Sequence, residues 1–183
     1  EDGDKLSEQE MISTCVLLLN AGHEATVNTT TVGWLTLFRH PGQLRHLYDT
    51  GTPDALRDGV EEMLRYDTPL QMFERWVLDD IEIGGTVIPR GPEIALLFGS
   101  ANRDPARFAD PDRFDVTRPA DTNRDLTFGA GIPYWLGDPL ASLELASSFG
   151  AFLRDAPGLR LVEEPKWRPG YVIRGVEELL VTW

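Results

Sequence analysis

Few side chains in this sequence combine type and spacing in a way that could do chemistry. Glu62 and Arg65 stand three apart, the spacing that brings an acid and a base together on one face of a helix. Taken alone, the pair reads as a surface ion pair worth a few tenths of a kcal/mol. His23 and Glu24 are adjacent and join an imidazole to a carboxylate, the two groups most used for general acid–base work. The lone cysteine, Cys15, excludes an internal disulfide and any multi-cysteine metal site. It lies in an apolar helical stretch and reads as a core residue. With three histidines, His23, His40 and His46, a zinc site has little to build on.

The elements that must position these groups follow from periodicity. Ser7-x-x-Glu10 is a capping box. Met11, Cys15, Leu18, Leu19 and Gly22 follow at helical spacing. The helix is expected to reach about Phe38, where His40-Pro41 stops it, giving roughly 30 residues and about 45 Å. Further helices are expected over residues 41–49, 53–66 and 140–154. The face formed by Leu56, Val60, Met63 and Leu64 turns inward on the third of these four helices. Short strands are expected at 75–78, 81–83, 86–88 and 94–98, the first three joined by Asp79-Asp80 and Gly84-Gly85 turns. Residues 102–137 read as ordered loop with one helical turn, and 159–162 and 178–181 as strands. The fold class is α+β, mainly helical: a single domain over 1–183 with one long central helix and a small antiparallel sheet beside it.

Composition sets limits on partners. Thirty acidic residues against seventeen basic ones leave a net charge of −13, which disfavours nucleic-acid backbones and anionic lipid surfaces. No apolar run approaches the ~18–20 residues of a membrane span. The acidic opening around Glu1, Asp2 and Asp4 shows no signal-peptide pattern. A cytoplasmic location is expected.

Beyond the Glu62–Arg65 pair, four further motifs occur in order: Ala21-Gly22-His23-Glu24-Ala25-Thr26, Asn102-Arg103-Asp104-Pro105, Phe108-Ala109-Asp110-Pro111-Asp112-Arg113-Phe114, and Phe128-Gly129-Ala130-Gly131-Ile132-Pro133-Tyr134-Trp135-Leu136-Gly137. Together they resemble the C-terminal half of a bacterial cytochrome P450, from about Leu6 to Leu180. The resemblance implies a truncated cytochrome-P450-like fold. It also implies a structural role for Glu62 and Arg65, locked to a third group near Arg113 and holding the loop that leads to the haem.

The departures from that family bear on function. The resemblance puts the iron-ligating cysteine at Trp135, and indole has no basic lone pair to offer iron. Pro133 takes the place of a histidine, and Asp125 that of a propionate-binding histidine. Arg75 alone keeps its propionate-binding character. On the long helix the acid is present as Glu24, but the threonine that follows it is Ala25. Thr26 lies about 100° further round and cannot simply take over. Haem is therefore expected to be absent, with Tyr134 and Trp135 plugging part of the vacated space. Gly22, Ala25, Arg75, Tyr134 and Trp135 would line the remaining pocket, and His23, Glu24 and Asp125 are the candidate acid–base groups.

The family is usually about twice as long, and its N-terminal half normally covers the long helix. Leu17, Leu18, Leu19, Val27, Val32, Leu35 and Leu37 must otherwise find cover, each worth about 1.5–3 kcal/mol when buried. A homodimer or a separate protein covering the long helix is expected. Two functions remain open. One is a haem-free helper, similar to the cysteine-less cytochrome-P450-like proteins that bind and activate a glycosyltransferase in bacterial natural-product pathways. The other is a redox-neutral enzyme catalysing cyclisation, isomerisation, dehydration or hydrolysis of a pathway intermediate in the emptied pocket.

Overall fold

The computed structural model describes residues 5–129 and 137–183. Five helices and six short strands occur among them in the order α1 (Glu8–Arg39), α2 (Pro41–Thr50), α3 (Pro53–Tyr66), β1 (Phe73–Trp76), β2 (Ile81–Ile83), β3 (Thr86–Ile88), β4 (Glu93–Leu96), α4 (Phe98–Ala101), α5 (Asp138–Asp155), β5 (Arg160–Leu161) and β6 (Val181–Thr182). Local chemistry sets the helix ends. Ser7 and Glu10 close the expected reciprocal capping box on α1. Thr52 caps α3 by accepting from the Ala55 amide, and Pro41 and Pro53 stand where a missing amide costs nothing.

The mainly helical α+β class holds, but the small sheet is three separate antiparallel ribbons: β1 with β4, β2 with β3, and β5 with β6. The first strand begins at Phe73 rather than Arg75, and its pairing continues through Val77, whose amide donates to the Pro92 carbonyl. The single helical turn falls at Phe98–Ala101, before the long loop and not within it.

One core cluster draws Trp34 and Leu37 from α1, Leu47 from α2, Val60, Met63 and Leu64 from α3, and Leu145, Phe149 and Leu153 from α5, with Phe114, Val116 and Leu159 closing it. Helices α1 and α5 approach closely because position 33 carries no side chain. A Cβ on Gly33 would stand 2.8 Å from Phe149 Cζ and 3.1 Å from Met63 Sδ.

The long helix is buried along only part of its length. Leu35 and Leu37 are 1% and 0% exposed, whereas Leu17, Leu18 and Leu19 are 66%, 63% and 71% exposed. Met11, Ile12 and Val16 are exposed as well. Cys15 is also exposed, which corrects its reading as a core residue. Its helical environment is apolar as expected, but among the described residues nothing packs over that part of α1.

Candidate functional site

A cleft of about 330 Å3 opens between α1, the chain before and within β1, the start of α4 and the end of the long loop. Four α1 residues line it: Asn20, Ala21, Glu24 and Ala25. Their spacing of i, i+1, i+4 and i+5 is one helix face. From β1 come Phe73 and Arg75, which share a strand face because side chains alternate with period two. Pro69, Leu70, Phe98, Thr127, Phe128, Gly129 and Ile173 complete the described wall. A bridge between Leu70 and Ile173 ties the C-terminal segment to the wall, and Phe73 stacks on Phe98 with centroids 6.5 Å apart.

The Glu62–Arg65 pair supports the loop that ends in this wall. Arg65 Nε donates to Glu62 Oε2 at 2.7 Å and Nη2 to Oε1 at 2.9 Å, with both side chains fully buried. The guanidinium also donates to the carbonyls of Asn102, Pro111 and Arg113. Glu62 accepts from the Asp115 amide, from Arg118 Nε at 3.3 Å and from Asn123 Nδ2 at 3.4 Å. The third charged side chain of the cluster is thus Arg118. Arg113 contributes only its carbonyl, and its own side chain is exposed beside Asp115. Asn102, fully buried, passes the network on by accepting the Leu126 amide at 2.7 Å. Thr127 Oγ1 then donates to the Leu64 carbonyl. This side-chain-to-carbonyl scaffold holds Thr127 and its neighbours at the cleft edge.

Several expected site residues lie elsewhere. Gly22 and His23 are exposed and do not line the cleft, because they sit 100–200° round α1 from the face that Asn20, Ala21, Glu24 and Ala25 form. Asp125 does not line it either. Its carboxylate accepts the Thr127 amide at 2.7 Å and so turns the loop rather than facing the cavity. Burial pushes its pKa up. Glu61, not singled out from the sequence, is raised to about 7 by burial and by the nearby Asp125 and Asp138. Of the pocket residues expected, Ala25 and Arg75 line the cleft with Glu24. Tyr134 and Trp135 lie outside the described residues, as does Pro133, so their expected role as a plug falls outside them too.

No thiol, imidazole or thioether lies among the described lining residues, and Trp135, at the position that the resemblance gives the iron ligand, lies outside the described residues. Nor do the described residues hold a cluster of three or more histidine, cysteine, aspartate or glutamate side chains suited to a metal.

The fold and the order of its motifs agree with a family comparison. The family model described as cytochrome P450 matches residues 55–155. The chain belongs to the cytochrome P450 family. It is 45% identical over 181 residues to the biotin biosynthesis cytochrome P450 of Bacillus subtilis, covering 98% of this chain and 45% of that one. To the cytochrome P450 monooxygenase PikC of Streptomyces venezuelae it is 41% identical over 188 residues, covering 100% of this chain and 44% of that one. The crystal structure of P450BioI in complex with hexadec-9Z-enoic acid ligated acyl carrier protein superposes with a TM-score of 0.92 at 45% identity, over 99% of this chain and 46% of the other. The chain therefore spans somewhat less than half the length of the relatives it matches. No helix among its described residues is long and apolar enough to cross a membrane.

Proposed function

We propose that this is a haem-free member of the cytochrome P450 family, acting in the cytoplasm as a binding partner of another enzyme in a bacterial natural-product pathway, such as a glycosyltransferase. The observation that carries the reading is Trp135, which stands at the ligand position that the resemblance assigns, in a chain whose described cleft wall has no thiol or imidazole. The exposed apolar residues of α1, from Met11 to Leu19, support a partner. Preceding chain of the same polypeptide or a second chain would serve. The pathway context is drawn from relatives such as PikC and the polyketide biosynthesis cytochrome P450 PksS of Bacillus subtilis.

The test is spectroscopic and then biochemical. The purified protein should be colourless, and reduced haem with carbon monoxide should give no thiolate-type band. Trp135→Cys alone should not restore oxygenase activity, because Pro133, Asp125 and Ala25 remain. Co-elution with an enzyme encoded beside it, with a change in that enzyme's rate, is the expected positive result. Stoichiometric haem with thiolate spectroscopy in the unmodified protein overturns the proposal.

A second reading, redox-neutral catalysis on a pathway intermediate, has one specific support: Glu24 and Arg75 both line the cleft. Glu24→Gln would abolish such turnover and leave partner binding intact.

A further inference from the structure

The cleft joins an apolar lining to two opposite charges that do not pair with each other. Leu70, Phe73, Phe98, Phe128 and Ile173 supply much of the wall. Arg75 is its one cation and Glu24 its one anion among the described lining residues. Neither forms an ion pair with any described residue, whereas Arg39, Arg65, Arg103, Arg118 and Arg174 all do. Arg75 is nonetheless held in place. Its Cζ lies 4.0 Å from the Phe73 ring centroid, and Nη1 donates to the Glu74 carbonyl at 2.9 Å. Guanidinium has five N–H donors in a planar fork that matches a carboxylate, so a single carbonyl leaves most of that capacity open. The hydroxyl of Thr127 is already committed to the Leu64 carbonyl.

A site of this size, mostly apolar with a few placed polar groups, has the form of a small-molecule site. The geometry points to an apolar carboxylic acid that also carries a hydroxyl group as the ligand of this cleft: its carboxylate pairs with Arg75, its hydrocarbon body packs on the apolar wall, and its hydroxyl donates to Glu24. This assignment rests on the haem-free reading, since the acid takes space that a cofactor would otherwise fill. It names the chemical class of the small molecule and not its pathway.

The experiment titrates the haem-free 183-residue chain with 10-hydroxydecanoate, decanoate and 1-decanol by calorimetry. Affinity should fall in that order, with decanoate at least about tenfold tighter than decanol, a step of about 1.4 kcal/mol. Arg75→Gln should erase the decanoate advantage and leave decanol binding within about twofold, while Arg75→Lys keeps part of it. Glu24→Gln should remove only the preference for the hydroxy acid. Equal affinity for decanoate and decanol overturns the assignment, as does decanoate binding that ignores Arg75, which is the pattern expected if these probes merely coat the exposed apolar face of α1. Failure here leaves the haem-free reading standing if the protein still shows no thiolate spectrum. A thiolate spectrum would remove that reading first.

Discussion

Glu62 and Arg65 stand one turn apart on α3 and share two hydrogen bonds, of 2.7 and 2.9 Å, with no solvent exposure on either side chain. Every remaining direction of the two groups is taken by backbone carbonyls, the Asp115 amide, Arg118 or Asn123. Breaking one half of such a pair strands a buried charge. Glu62→Ala or Arg65→Ala should therefore cost about 3 kcal/mol or more, read from urea unfolding midpoints. Removal of the exposed Arg45–Asp49 pair should move the midpoint far less, because water screens that pair. Equal losses at the two sites would mean that the buried cluster does not hold the long loop.

Glu61 gives stability a pH dependence of definite sign. Burial and the neighbouring carboxylates push its folded-state pKa up to about 7, from an ordinary carboxylate value of 4.5. The native protein therefore binds more protons than the unfolded chain between those values. Stability from this group is fully present below the unfolded pKa and is lost as pH rises through the folded one. The loss from pH 4.5 to 7.5 should be on the order of 1–2 kcal/mol once discounted for the water that reaches this half-buried group. Glu61→Gln should flatten that slope. A wild-type stability that climbs across the same window, with no change in the variant, would contradict the placement of Glu61 beside Asp125 and Asp138.

Gly175 faces a side chain that leaves it no room. A Cβ there would collide with Asn28 Oδ1. Asn28 is 1% exposed, and neither its Oδ1 nor its Nδ2 has a hydrogen-bond partner among the described residues. Gly175→Ala should lose about 1–3 kcal/mol, the range for overpacking a filled site. Adding Asn28→Ala should restore part of that loss, since the two positions touch and their effects cannot be additive. Strictly additive losses in thermal melts would place the strain elsewhere.

The exposed leucines of α1 should show in solution mass. At micromolar concentration the 20.5 kDa chain should sediment as a dimer, most simply with α1 packed against α1 of a second copy. Leu18→Glu should return it to monomer. A wild-type protein that is monomeric, and remains so with its pathway enzymes present, would remove the main support for a partner.

Legibility in the sequence varied with how local the determining physics is. The bounds of α3 could be read because Pro53 and the apolar positions 56, 60, 63 and 64 all act within one helix. The strand start was missed by two residues, since Phe73 is fixed by its pairing with Leu96 and not by its neighbours. Glu62 and Arg65 could be named from spacing, but Arg118 could not, because it reaches Glu62 across 56 positions of chain. Phase on a helix decided the cleft. Glu24 and Ala25 face it while the adjacent Gly22 and His23 do not, a distinction that a motif read as a string does not carry. Cys15 was misplaced for a related reason: apolar neighbours in sequence say that cover is wanted, not that it is present.

Among the described residues, helix α1 has one clamped end and one exposed arm. The clamp is the contact that Gly33 permits with Phe149. Among the described residues, the arm before Asn28 is capped at its tip by Ser7 and Glu10 and leaves Leu17, Leu18 and Leu19 exposed. Glu24 and Ala25 lie on this arm and form part of the cleft wall. A molecule docking on the outer leucines would hold the arm straight, and with it that wall. A ligand in the cleft would do the same from the other side. Such occupants share one ordering cost, so either would tighten the grip on the other by the same factor.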